Sequence, residues 1–283
     1  MNSTLSRISA TLLALAFASP AAAETLLERG TYLVRGVVAC GNCHTPQGPN
    51  GPIAELEFAG QLIDKSEMMT AYAPNITPHP TAGIGKWTDD QLVKAIREGV
   101  RPDGTLIGPP MPFHWYRMIS DRDAKAIVAY LRQVRPSANT TPKSDYRFPL
   151  PPAWGPPPGK VAEVDAGDRA AYGKYLTAIG HCLECHTPMG KNGRQDYENR
   201  TGAGGFVFKG PWGVSISANI TPHGDGIGEF SEAQVKTMIA KGVRPDGSRM
   251  KPPMGYAYYS HITDADLDAL IGYLRTLPPK ADK

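Results

Sequence analysis

Two short stretches constrain this chain more than anything else in it: Cys40-Gly41-Asn42-Cys43-His44 and Cys182-Leu183-Glu184-Cys185-His186. Each reads C-x-x-C-H, the attachment signal for a c-type haem. Two thiols must add to two vinyl groups on one edge of a single porphyrin, so they have to lie a short turn apart. The histidine that follows then falls beneath the iron and supplies an imidazole ligand. The chain has four cysteines, and these two stretches use all of them. A bare C-x-x-C also suits a zinc half-site or a thioredoxin-like redox pair, and two of them suit one four-cysteine zinc site. None of those needs a histidine directly after the second cysteine, and both copies have it.

The surroundings of the motif repeat as well. Gly30-Thr31-Tyr32-Leu33 matches Gly173-Lys174-Tyr175-Leu176, and Asn75-Ile76-Thr77-Pro78-His79 matches Asn219-Ile220-Thr221-Pro222-His223. Gly83-Ile84-Gly85 returns at Gly226-Ile227-Gly228, Gly99-Val100-Arg101-Pro102-Asp103-Gly104 at Gly242-Val243-Arg244-Pro245-Asp246-Gly247, and Tyr130-Leu131-Arg132 at Tyr273-Leu274-Arg275. The offset stays near about 143 residues, far longer than a solenoid unit, which predicts a duplicated domain. A length of 283 residues accommodates two such domains. The expected division is a leader over 1–23, a first domain over 24–135, a Pro-rich linker over 136–168 and a second domain over 169–283. The leader has Arg7 in its basic region, an apolar run over Ile8–Ala18 and a small-residue cleavage site at Ala21-Ala22-Ala23. That apolar run is shorter than the roughly 20 residues of a membrane span. The linker, with Phe148-Pro149-Leu150-Pro151-Pro152 and Pro156-Pro157-Pro158-Gly159, reads as an extended, semi-rigid spacer.

Each copy predicts three helices. The first precedes the motif, near Leu26–Val37 and Arg169–Ala178. The second opens on a capping box, Thr88 with Gln91 and Ser231 with Gln234, and closes on Gly99 or Gly242. The third starts at Ser120 or Thr263, with Leu267, Leu270, Ile271 and Leu274 at helical spacing. No alternating strand pattern stands out, so the expected fold is all-α: two tandem domains of about three helices wrapped around one haem each. The formal charge of +3 is mild and unclustered, which gives nucleic-acid binding no support.

A low-spin haem needs a second axial ligand, and thioether sulfur stabilises ferrous iron. The chain has nine methionines, and the repeat separates ligand from packing. Met111 and Met254 occupy matching places, each after Pro-Pro, and the other methionines have no matching partner. His79 and His223 also repeat and are the rival ligands, although a Thr-Pro-His turn suits a surface residue better. His114, His181 and His261 have no counterpart. Asn75/Asn219 and Arg101/Arg244 read either as donors to haem propionates or as turn residues. Trp87/Phe230 and Trp115-Tyr116/Tyr258-Tyr259 read as aromatic packing.

With these residues in place the chain resembles the dihaem class I-type cytochromes c. Asn-Ile-Thr-Pro, Gly-Ile-Gly followed by Trp or Phe, and Pro-Pro-Met before a Tyr-Leu-Arg helix resemble the c-type cytochrome subunits of periplasmic alcohol and gluconate dehydrogenases. The resemblance implies two covalently bound haem c groups. They are attached through Cys40, Cys43, Cys182 and Cys185 and ligated by His44 with Met111 and by His186 with Met254. It implies electron transfer in the periplasm from a dehydrogenase donor to a cytochrome or oxidase acceptor, with no catalytic residues. After the leader no stretch of the sequence is long or apolar enough to cross a bilayer, so no transmembrane segment is expected in the mature chain. Such subunits usually carry three haems and often a C-terminal membrane anchor. Here there are two motifs, and the sequence closes on Pro278-Pro279-Lys280-Ala281-Asp282-Lys283, so a soluble shuttle or a partner-held subunit is expected. The alternative class is a dihaem enzyme, a peroxidase or thiosulfate dehydrogenase. The first needs an open iron; the second uses a cysteine ligand, for which no spare cysteine exists.

Overall fold

The computed structural model describes residues 23–49, 51–191 and 193–282. The predicted leader therefore lies outside the described residues, apart from Ala23. In the first half the elements run α1 (Leu26–Arg35), α2 (Cys40–His44), the strands β1 (Gln47–Gly48), β2 (Gly51–Pro52), β3 (Gln61–Lys65) and β4 (Met69–Ala73), then α3 (Asp89–Glu98), α4 (Phe113–Tyr116) and α5 (Asp121–Leu131). After β5 (Asp145–Tyr146), the second half runs α6 (Arg169–Ile179), α7 (Cys182–Cys185), β6 (Val207–Gly210), β7 (Gly213–Ile216), α8 (Glu232–Lys241), α9 (Tyr256–Tyr259) and α10 (Asp264–Leu274).

The helices form where their ends are written. Thr88 and Gln91 make a reciprocal capping box at α3, and Ser231 with Gln234 does the same at α8. Gly99 and Gly242 close these helices in the left-handed region, at φ 68° and 62°. The side chains of Ser120 and Thr263 cap α5 and α10. α1 packs on α5 and α6 on α10. A Cβ at Gly30 would overlap the Ala126 carbonyl, and one at Gly173 the Ala269 carbonyl, so both contacts bring backbone against backbone. Leu33, Val34, Ile127, Leu176, Ile179 and Ile271 are almost fully buried along these seams. Each is worth roughly 1.5–3 kcal/mol of burial.

The expectation of an all-α fold is not met: the architecture is mixed α and β. Among the described residues the strands form three small sheets, β1–β2, β3–β4–β5 and β6–β7, all antiparallel. The strands are short and only partly buried, so neither long apolar runs nor clear alternation marks them.

The segment 136–168 lies along the first half. β5 adds to β4, pairing Met69 with Tyr146 and Thr70 with Asp145. The Tyr146 hydroxyl donates to Pro109 O at 2.9 Å, and the Trp154 indole donates to Ile107 O at 2.8 Å while stacking on Phe113.

The two halves meet through a polar cluster set in apolar packing. The Arg29 guanidinium makes a two-pronged ion pair with Asp123, at 2.8 and 2.9 Å, with both residues buried. From the second half, the Tyr175 hydroxyl donates to the same carboxylate at 2.7 Å, and Arg29 donates to the Tyr172 hydroxyl at 3.3 Å. Tyr32 donates to Asp266 at 2.5 Å, so the contact is made from both sides.

Candidate haem site

Each Cys-x-x-Cys stretch is a short helix started by a residue in the left-handed region. Ala39 has φ 51° and His181 has φ 43°. Such a conformation is costly for a residue with a Cβ. Its recurrence before both motifs turns the chain sharply as it leaves α1 or α6. The Thr-Pro that follows each motif is anchored too. Thr45 Oγ1 accepts from Phe58 N at 3.0 Å, and Thr187 Oγ1 accepts from Gly202 N at 3.2 Å, with both threonines buried.

In the second half Cys182, Cys185, His186 and Met254 line one cavity of about 360 Å³. Most of its remaining wall is apolar: Ile227 and Phe230 from the Gly-Ile-Gly loop, Tyr259 and Ile262 around α9, and Leu270 and Leu274 from α10. The β6–β7 hairpin, absent from the sequence-based expectation, closes one side with Phe208 and Ile216. In the first half, His44 is 8% exposed, and Cys40 and Met111 pack against the apolar core as half-buried residues.

The two histidines are held alike. His44 Nδ1 lies 2.8 Å from Pro74 O, and His186 Nδ1 lies 2.7 Å from Ala218 O. A carbonyl can only accept, so Nδ1 carries the proton in each ring and Nε2 is left with a free lone pair. That is the state in which a metal-bound imidazole is usually found. Burial lowers the pKa of both rings, which keeps them neutral and available. Burial also pushes the Cys40 and Cys182 thiols up to about 12, the reverse of a reactive redox pair. Among the described residues no three His, Cys, Asp or Glu side chains gather closely enough to hold a bare metal ion. The donor set therefore suits a ligand that brings its own equatorial nitrogens and asks the protein for two thiols, an imidazole, a thioether and an apolar pocket. Haem c is such a group.

The other repeated residues sort themselves. His79 and His223 turn inward on their own loops: His79 Nδ1 accepts from Ala82 N at 3.0 Å and His223 Nδ1 from Asp225 N at 3.1 Å. His223 is not part of the cavity wall, whereas Met254 is. Asn75 is fully committed within the protein. Its amide donates to Ser137 O and Asn139 O, both at 2.8 Å, and its oxygen accepts from Thr77 N and Oγ1. Asn219 repeats this with Lys280 O, Asp282 and Thr221. Arg101 is tied to Thr105 and Leu106 of its own turn. Arg244 reaches Ser248 and Arg249 only through long contacts, both 3.4 Å, and lines the cavity. His181 edges onto Tyr116, with ring centroids 5.8 Å apart, and burial takes its pKa down to about 4.

Two further positions escape a reading of the sequence, which treats them as the variable letters of C-x-x-C-H. Asn42 lines the second-half cavity, although it belongs to the first motif. Glu184, at the same place in the second motif, accepts hydrogen bonds from Trp115 and Tyr197, both at 2.8 Å. A polar residue at one identical position in both motifs was the available signal.

Comparison with known proteins bears on the same residues. Residues 170–278 match the cytochrome c family. Over 92% of its length the chain is 32% identical to the cytochrome c subunit of the quinone-dependent alcohol dehydrogenase of Gluconacetobacter polyoxogenes, covering 58% of that protein. It is 31% identical to the gluconate 2-dehydrogenase cytochrome c subunit of Pantoea cypripedii, over 99% of this chain and 66% of that one. It is 29% identical to a diheme cytochrome c-type protein of Cereibacter sphaeroides, over 84% of this chain and 82% of that one. The chain thus spans about three-fifths of the dehydrogenase subunits it matches.

Proposed function

We propose that the chain is a c-type cytochrome, an exported two-haem electron carrier passing single electrons from a periplasmic dehydrogenase to a further cytochrome or an oxidase; the match of residues 170–278 to the cytochrome c family supports this. Haem c, when bound, supplies a one-electron ferric–ferrous couple. The chain's own residues attach, ligate and insulate it. Cys40 and Cys43 would fasten one haem, with His44 and Met111 to hold its iron; Cys182 and Cys185 would fasten the other, with His186 and Met254. Filling both axial positions leaves no site for a substrate, which separates a carrier from a peroxidase. The apolar wall disfavours net charge and so favours the ferrous state. Arg244, at the cavity wall with only weak internal partners, is suited to a propionate. The units are those the repeat suggests: a leader over 1–23, a first haem unit over 24–135, a connecting strap over 136–168 and a second haem unit over 169–283. Among the described residues no helix is long and apolar enough to cross a membrane. A dehydrogenase donor is supported by the named relatives, which are subunits of alcohol and gluconate dehydrogenases.

One observation carries this reading: Cys182, Cys185 and His186 share a single apolar cavity with Met254. Carbon monoxide tests it. The reduced protein is expected to keep its spectrum under carbon monoxide, because both irons are six-coordinate. Ready binding at either iron, or rapid peroxide turnover, would replace the carrier with an enzyme or a sensor.

A further inference from the structure

The second variable residue of each motif reaches across to the half that holds the other motif. The Asn42 amide donates to Pro253 O at 3.0 Å, and Pro253 directly precedes Met254. On the other side of that methionine, a Cβ at Gly255 would stand 3.3–3.5 Å from the same amide. Asn42 is therefore bonded to the residue before Met254 and stands where a side chain on the residue after it would meet it. It is itself well fixed: Asn42 N donates to Ala39 O at 2.8 Å, and the Gln61 side chain donates to the carbonyls of Asn42 and Cys43 at 3.3 and 3.0 Å.

Glu184 also reaches into the other half, at a residue four positions after Met111. It takes the indole N–H of Trp115, which stands on α4 directly after the Met111 loop. Tyr197 donates to the same carboxylate oxygen, and His114, beside Trp115, stacks on the Tyr197 ring with centroids 5.4 Å apart. Tyr258, the residue that matches Trp115 in the repeat, lies over Gly41, where any Cβ would overlap its ring.

We propose that each attachment motif is a positioning clamp for the methionine loop of the opposite half: Asn42 sets the Met254 loop and Glu184 sets the Met111 loop. This rests on the reading of both methionines as axial ligands. The iron–thioether bond is the softest link in such a site. Its survival depends on a loop that is already in place before the bond forms, and an anchored loop loses less freedom when it does. The two sites are then coupled through the protein, so a change in the first motif is felt at the second iron.

The experiment uses the full-length holoprotein with haem content measured on every sample. Wild type is expected to show the weak far-red ferric band of thioether-ligated haem. Asn42→Ala should keep both haems, lose about half of that band and admit carbon monoxide at one iron. Asn42→Asp keeps the volume and removes the donor, so it gives the same result even if the alanine variant does not accumulate. Asn42→Gln should restore much of the band. Glu184→Ala should remove the other half, and Glu184→Gln, which keeps an acceptor for Trp115, should not. The origin of each loss is set by combination: Asn42→Ala should abolish the remaining band in a Met111→His background and leave it untouched in a Met254→His background. An unchanged band in Asn42→Ala and Asn42→Asp, or loss at the iron of the same half, would overturn the clamp. A wild-type protein without any far-red band would instead defeat the ligand assignment on which the clamp rests.

Discussion

Both histidines at the proposed iron sites have a neighbour that settles their chemical state. The Pro74 and Ala218 carbonyls fix the tautomers of His44 and His186. The histidines of the Thr-Pro-His turns are occupied by their own backbones. Met111 and Met254 are the proposed second ligands, and each can be tested alone. Met111→His and Met254→His should each abolish about half of the far-red ferric band while the protein keeps both haems. Imidazole in place of thioether should also lower the reduction potential of the altered site only. Potentiometry followed at both haems checks the second point, and a shift confined to neither site, or shared equally by both, would count against the assignment.

At the scale of elements, the fold depends on two close helix crossings and on the β3–β4 and β6–β7 hairpins, the second of which lines the cavity. Gly30→Ala and Gly173→Ala should each lower the melting temperature of the holoprotein by several degrees. The added methyl group meets a backbone carbonyl of α5 or α10 that cannot rotate away. A control, Gly104→Ala, has open space around it but a positive φ of 82°, so its smaller cost isolates strain from overlap. The helices are legible in the sequence because their signals are local: a capping box at Thr88 or Ser231, a glycine at residue 99 or 242, and apolar residues at helical spacing. The hairpins are not. Val207–Gly210 and Gly213–Ile216 are four residues each, with an alternation too brief to distinguish from loop, and their inner faces pack on the cavity rather than on another sheet. Ala39 and His181 are illegible for a different reason, since nothing in an alanine or a histidine announces a left-handed backbone. The cysteines and histidines of the site could be read because their chemistry dictates their spacing. Asn42 and Glu184 carried only a shared polar character, because Pro253 and Trp115, which they reach, come from the opposite half.

The whole molecule is joined across its middle by Arg29, Asp123, Tyr172 and Tyr175, where a buried charge is balanced by a carboxylate and shared with hydroxyl groups from the other half. The halves should therefore unfold together, with one calorimetric transition and simultaneous loss of both haem signals. Asp123→Ala leaves the Arg29 guanidinium buried and unmatched, and should cost roughly 3–5 kcal/mol in denaturant unfolding. Two resolved transitions in the unaltered protein would show the interface to be weaker than its contacts imply. The strap over 136–168 is part of the same unit. It covers the Met111 side of the first half through Tyr146 and Trp154, while the β6–β7 sheet gains no third strand among the described residues. The two proposed iron sites thus lie behind differently built walls, and the two-haem reading predicts two distinct potentials in a redox titration rather than one.

The most direct test is the intact mass of the purified, exported protein under denaturing conditions, which removes everything not covalently held. Two covalent haems should raise the polypeptide mass by two haem equivalents, falling to one equivalent in Cys40→Ser/Cys43→Ser and, separately, in Cys182→Ser/Cys185→Ser. A polypeptide bearing one haem or none, produced where the haem-attachment machinery is active, would contradict the account.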